Sequence, residues 1–363
     1  MKTESKKYNN TKLLIGISES AAGFIVVLLF VALGGSKWLD SYLKTDFGLL
    51  NDYFRFISFV LITGIAGSIL SFPVSYYSGF YLEHKYNLSN QNFKAWIWEG
   101  TKELFVSLLI GIPILLIFFY CLRTFGNNWW FVLAVVLFFF SVILARIVPV
   151  FILPLFYKIT PFENPALKEK ISRLSLDAGL KIDNIYKFDM SKNTKKANAA
   201  FTGLGKTKRI ILGDTLINNF SEDEIETVIA HELGHYKKKH IIKNIIIGTV
   251  SSFLTLYVIS VLYSFILYKY NLGSITEIAA LPVLVLCSMV IGLIQSPIGN
   301  ILSRKFEYEA DKYAVEVTAK KEEFSAALVK LTEQNLGDKD PHPFVEWFFY
   351  SHPSIKKRIN AIK

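Results

Sequence analysis

Six apolar runs, at 13–33, 54–74, 104–120, 130–156, 241–268 and from 278 past 302, constrain this chain more than anything else in it. Each is about as long as a helix needs to cross a ~30 Å hydrocarbon layer. Backbone groups in lipid have no water to bond, so runs of this length have to close their hydrogen bonds internally, as helices. The share of hydrophobic residues, 52%, and a mean hydropathy of +0.36 agree with a membrane protein rather than a soluble one. Pro149 and Pro154 predict kinks near the end of the fourth run. Arg146 lies in that run too, either facing a partner or water or snorkelling to the interface.

Lysine and arginine orient the spans. The segment before the first run, the loop at 76–103, the segment at 157–240 and the tail are basic, whereas the loops at 36–53, 121–129 and 269–277 carry few cations. Basic loops stay on the cytoplasmic side. Both termini and the polar segment are therefore expected there, in a bacterial inner membrane or an endoplasmic reticulum membrane. A net charge of +10 would also suit nucleic acid, but its crowding on one side is the mark of a membrane protein, so no nucleic-acid partner is expected. The first run is too long for a signal-peptide core and reads as a retained helix. Cys121 and Cys287 fall in apolar runs, which leaves neither a disulfide framework nor a cysteine-type zinc site. The chain divides into a membrane domain at 1–156, a cytoplasmic segment at 157–240, a membrane hairpin at 241–320 and a tail at 321–363.

The chemistry sits in the polar segment. His231-Glu232-Leu233-Gly234-His235 matches H-E-x-x-H. Two histidines four apart on a helix stand one above the other, so both imidazoles reach one Zn²⁺ ion. Glu232 is then placed to take a proton from water. Ser221 and Glu224 form a capping box, which starts the motif helix at Ser221. Upstream, 164–178 has helical periodicity. Residues 184–189, 198–202 and 209–212 read as strands, with a turn at Gly203-Leu204-Gly205.

A catalytic zinc site needs a third protein ligand. After His240 the chain leaves across the membrane over roughly 28 residues, about 42 Å of helix, and an equal return from Ile278 ends near residue 306. Glu307 and Asp311 stand there, four apart on one face. Glu307 is the expected third ligand, and Asp311 a group that orients a ligand or steadies an oxyanion. Glu309 and Glu316 read as a solvated charged face, and His240 as a competing ligand.

The motif, followed after a helical hairpin by Glu307-Tyr-Glu-Ala-Asp311, resembles the type 1 CAAX prenyl protease family. So do 72–87, Ala197-Asn-Ala-Ala-Phe201, Lys208-Arg-Ile-Ile-Leu-Gly-Asp-Thr215 and, in the tail, His352-Pro and Arg358; the likeness spans roughly 55–363. It implies that Glu232 is the general base, that Asp311 is the acidic partner and proton donor, and that Asn198, His352 and Arg358 contact the substrate backbone or the oxyanion. It implies a peptide or protein substrate, prenylated or membrane-associated, met at the lipid bilayer. The family's seven spans against six here make an additional N-terminal portion an expected difference. The same short core resembles the bacterial membrane heat-shock metalloproteases, which degrade damaged membrane proteins.

The expectation is an α-helical polytopic membrane protein with a small cytoplasmic α/β zinc-metallopeptidase unit. An intramembrane site-2-type protease fits less well, because the motif helix opens on Ser221 to Glu224 and ends on Lys237, Lys238 and Lys239. A zinc transporter would need metal ligands in the first four spans, which hold no histidine and almost no carboxylate.

Overall fold

The structure, a computed structural model, describes residues 4–180, 185–203 and 208–362. The turn expected at 203–205 and the first residue of the strand expected at 184–189 lie outside the described residues in part: Leu204, Gly205 and Asn184 are not covered. Among those described, five helical stretches are long and apolar enough to cross a membrane: Glu4–Ala32, Asp52–Lys85, Phe93–Phe156, His240–Tyr270 and Ile278–Thr318. The third has 64 residues, which as a straight helix would run ~96 Å and overshoot any bilayer threefold. It is bent at Gly126, where φ is 51°, and folds back on itself, with Phe118 edge-on to Trp129 at 5.6 Å between rings. The third and fourth apolar runs are thus the two legs of one stretch.

The chain begins with α1 (Glu4–Ala32) and α2 (Gly35–Thr45). The segment holding α2 reads as a loop in the sequence because its apolar residues are few. Leu39 and Leu43 are enough: one turn apart, both are buried beside Phe56, Phe119 and Leu122. α3 (Asp52–Ser75) starts at an Asn51 cap whose side chain accepts from Tyr53 N at 2.9 Å. Its apolar run ends at 74, one residue past Pro73, but the helix does not. A wider π turn over Tyr76–Tyr81 carries it into α4 (Leu82–Lys85). α5 (Phe93–Phe125) and α6 (Trp129–Ile147) are the two legs described above. Pro149 and Pro154 fall where α6 loosens into a π turn at Val148–Ile152 and then α7 (Leu153–Phe156). Arg146 is in the last turn of α6, exposed and without an ion pair among the described residues.

Next comes the α/β unit. β1 (Ile159–Pro161), α8 (Pro165–Asp177), β2 (Ile185–Phe188), β3 (Ala199–Thr202) and β4 (Arg209–Gly213) form a sheet of order β1-β2-β4-β3. β3 and β4 are antiparallel, β2 and β4 parallel. Alternate residues of β4 face opposite ways. Ile210 and Leu212 enter a core with Ile171, Leu174, Ile229 and Phe324, while Ile211 meets Phe188 and Met190. β3 is an edge strand.

α9 (Asp214–Asn219) leads to α10 (Glu222–Lys237), which opens with the expected capping box: Ser221 Oγ accepts from Glu224 N at 3.2 Å, and Glu224 Oε2 from Ser221 N at 2.7 Å. α11 (His240–Tyr270) and α12 (Leu281–Thr318) make the long hairpin, cross-linked by Gln295 donating to Thr255. α13 (Lys321–Gln334), α14 (Pro343–Phe349) and α15 (Ile355–Ala361) form the tail.

Where α12 returns it presses on α10. A Cβ added at Gly234 would stand 3.1 Å from both the Cα and the carbonyl oxygen of Ala310, so the glycine lets the two backbones approach. Gly234→Val is expected to force them apart at a cost of ~1–3 kcal/mol, read as a lowered melting temperature of the full chain in detergent.

Candidate metal centre and active site

α10 holds His231 and His235 one turn apart, and α12 brings Glu307 opposite them. His231 Nε2 and His235 Nε2 are 3.2 Å apart; Glu307 puts Oε2 at 3.5 Å from the first and Oε1 at 3.4 Å from the second. Zinc–nitrogen and zinc–oxygen bonds of ~2.0–2.1 Å in a tetrahedron imply ligand atoms ~3.3 Å apart. The two nitrogens stand at about that spacing, each has one Glu307 oxygen near it, and a single donor atom from each of the three residues lies within 4.8 Å of the others. Glu307 Oε2 is buried and accepts no hydrogen bond, although Arg358 Nη2 approaches to 3.4 Å. An unmatched buried acceptor costs ~1–3 kcal/mol unless something binds it. The donor set of two imidazoles and a carboxylate, with one oxygen unsatisfied, fits a zinc-like dication.

Groups behind the triangle fix the ligands. Asp311, fully buried, accepts from His231 Nδ1 at 2.8 Å and takes Arg358 in a two-pronged pair, Nε at 2.8 Å and Nη2 at 2.5 Å. Burial, the largest influence, disfavours charge on His231, but the Asp311 bond and the negative charges of Glu307 and Asp311 together hold the imidazole above its usual pKa. On the other side, His235 Nδ1 meets His240 Nδ1 at 2.9 Å, and His240 Nε2 meets Glu309 Oε2 at 2.9 Å. This removes the competing ligand and corrects one reading of the sequence. His240 faces the back of His235 and does not join the triangle. Glu309, half-buried, is also a buried histidine's partner and not merely a solvated charge; its distance from the metal face hid that role. Glu316, paired with Lys312 at 3.8 Å on the surface, is solvated as expected.

The tail closes over the centre. Arg304 of α12 donates through Nη1 to the carbonyls of Glu346 at 2.9 Å and Tyr350 at 2.6 Å, which ends α14 there. Glu346 accepts from Ser354 N at 3.1 Å and sets the start of α15. His352, exposed, then stands 3.5 Å from Glu307 Oε1, and Arg358 points inward from α15.

A cavity of about 540 Å³ opens beside the triangle, lined by Asn198, His231, Glu232, Glu307, His352 and Arg358 among others. No hydrogen bond or ion pair among the described residues engages the Glu232 carboxylate. Asn198 precedes β3, and its neighbour Ala197 is pinned by Asn335 of the tail, which accepts from Ala197 N at 2.8 Å and donates to Ala197 O at 3.1 Å. Nothing in the sequence signals Asn335. All eight residues singled out from the sequence thus gather here, six on the cavity wall, with His235 in the triangle and Asp311 behind it.

Comparison with known proteins agrees with the geometry. The family model described as peptidase family M48 matches residues 161–363. A second, described as the CAAX prenyl protease N-terminal region with five membrane helices, matches residues 2–158, the stretch that holds α1 to α7. CAAX prenyl protease 1 of Saccharomyces cerevisiae is 32% identical over 347 residues, covering 89% of this chain and 75% of that protein. YhfN of Bacillus subtilis, an uncharacterized metalloprotease, is 30% identical over 363 residues, covering 98% and 84%. The crystal structure of S. mikatae Ste24p superposes with a TM-score of 0.88 at 29% identity, over 99% of this chain and 88% of that one.

Removing Asp311 frees Arg358 to compete for Glu307. Asp311→Ala is therefore expected to weaken metal binding at least as much as an ordinary loss of a ligand's hydrogen-bond partner, ~10–100-fold, with part of the loss recovered in Asp311→Ala/Arg358→Ala. Chelator competition measures both.

Proposed function

The chain belongs to the CAAX prenyl protease branch of peptidase family M48, and on that premise we propose that it is an integral-membrane zinc endopeptidase. Its substrates are peptides whose C-terminal region is prenylated or lies at the membrane. The observation that carries the reading is the triangle of His231, His235 and Glu307, whose donor atoms, one from each residue, lie within 4.8 Å of one another, with one unsatisfied carboxylate oxygen. His231, His235 and Glu307 would hold the ion. Zinc, when bound, supplies a Lewis acid that polarises the scissile carbonyl and brings water's pKa toward neutrality.

The rest falls to side chains of this chain. Glu232, on the cavity wall with its carboxylate unengaged, takes a proton from the attacking water and passes it to the leaving amine. His352, exposed on the same wall, donates to the oxygen that gains charge. Arg358 spends Nε and Nη2 on Asp311, which leaves Nη1 for the substrate. Asp311 has no surface in the cavity, so its geometry supports orienting His231 and Arg358 rather than donating a proton. Asn198 and the edge strand β3 offer main-chain partners to a peptide lying extended beside them. The lysine distribution supports a cytoplasmic position for the termini and the active-site unit.

Glu232→Gln is expected to retain metal and lose cleavage by ~10²–10⁴-fold, with metal content and turnover measured on the same sample. Paired peptides ending in C-a-a-X, one farnesylated and one not, test the substrate. Preference for the farnesylated peptide, abolished by a chelator, is expected. Cleavage of neither with zinc present would remove the CAAX assignment, and equal cleavage of both would point to quality control of damaged membrane proteins.

A further inference from the structure

We propose that His240 and Glu309 are positioning residues for the metal, a relay that fixes which nitrogen of His235 is free to bind it. The inference rests on the metal centre proposed above. His235 Nε2 faces His231 and Glu307, so as a ligand it carries no proton, and the proton sits on Nδ1. That nitrogen is 2.9 Å from His240 Nδ1. Two nitrogens in one hydrogen bond share one proton, so His240 Nδ1 is the acceptor and its own proton sits on Nε2. His240 Nε2 is 2.9 Å from Glu309 Oε2, and a carboxylate only accepts. Glu309 therefore dictates the tautomer of His240, and His240 that of His235. The opposite arrangement sets a bare nitrogen against a carboxylate at one end and a proton in the metal's place at the other.

The relay is built to hold one geometry. His240 is 1% exposed and stacks on Phe306, ring centres 4.3 Å apart and planes at 13°. Lys243 stands 3.5 Å from Glu309. His240 opens α11 and Glu309 lies on α12, so both legs of the membrane hairpin steer a ligand carried by α10. His231 gets the same service from Asp311 in one step. A carboxylate–histidine pair behind a metal ligand does this work in other sites; here a second histidine is interposed.

The test is zinc affinity of the full chain in detergent, by chelator competition, with melting temperatures taken both loaded and metal-free. The variants are Glu309→Ala, His240→Ala, the two combined, and His240→Asn with and without Glu309→Ala. An asparagine keeps an acceptor near the place of Nδ1 and has no tautomer to choose. Glu309→Ala and His240→Ala are each expected to weaken zinc binding ~10–100-fold. The double variant should bind no more weakly than His240→Ala, and His240→Asn should restore affinity and make it indifferent to residue 309. Native zinc affinity in Glu309→Ala overturns the relay, and so does a metal-free melting temperature that falls as far as the loaded one, the mark of a merely structural role. His235→Ala separates this from the larger reading. If that variant keeps native affinity the metal centre itself is wrong; if it loses zinc while Glu309→Ala does not, only the relay falls.

Discussion

The approach of α10 to α12 at Gly234 and Ala310 is the contact on which the site depends. Ligands on separate helices can meet one ion only if their backbones are close enough for a histidine and a glutamate to span the gap. Glycine at the contact removes the side chain that would hold them apart. The order along each helix then does the rest. His231 and His235 are one turn apart on α10, and Glu307 and Asp311 one turn apart on α12, so a single crossing brings two imidazoles to a carboxylate and a buried acid to the back of the first. The membrane hairpin is the rigid arm that returns α12 to that crossing.

Charge in this pocket is nearly closed. Arg358 and Asp311 are buried against each other in a two-pronged pair, which is what makes either tolerable away from water. With neutral imidazoles, Glu307 and Asp311 leave one negative charge over Arg358, and one carboxylate oxygen of Glu307 lacks a hydrogen bond. A cation in the triangle answers both the charge and the oxygen. Removing Arg358 leaves Asp311 buried without its counter-charge, and removing Asp311 turns Arg358 toward Glu307, so these residues act as a group.

Most of this was legible in the sequence because it follows from spacing. Histidines four positions apart, a capping box, and equal distances out and back through a bilayer need no knowledge of packing. They bring Glu307 back to the level of the two histidines, where it stands 3.4–3.5 Å from them, across more than seventy intervening positions. What the sequence hides depends on how elements pack. Leu39 and Leu43 make a buried helix out of a segment that reads as a loop. The π turn at Tyr76–Tyr81 lets a helix run on past the proline at its apolar end. Glu309 points away from the metal, and only the position of His240 at the start of α11 turns that direction into a function. The family likeness supplied Asn198, His352 and Arg358, which local pattern alone reads as a turn residue, a surface group and a tail cation.

The edge strand completes the argument about substrates. β3 is bonded on one side only, to β4, and an exposed edge is a liability unless it is short or covered. Here it is four residues long and its start is on the cavity wall, where an extended peptide would satisfy it. The cavity is not open along its whole length. Asn9 of α1 lies on its wall and donates to Leu336 O at 2.6 Å, and Gly337 and Asp338 continue that wall. Glu83 secures the same end of α1, held by Tyr8 Oη at 2.5 Å, Lys12 at 2.7 Å and Lys196 at 3.0 Å. The first membrane helix, the tail and the segment before β3 are thus tied together beside the metal centre. On the function proposed above, a peptide paired with β3 would meet that closure, so the same contacts that stabilise the two ends of the chain would limit how far a substrate could extend past the scissile bond.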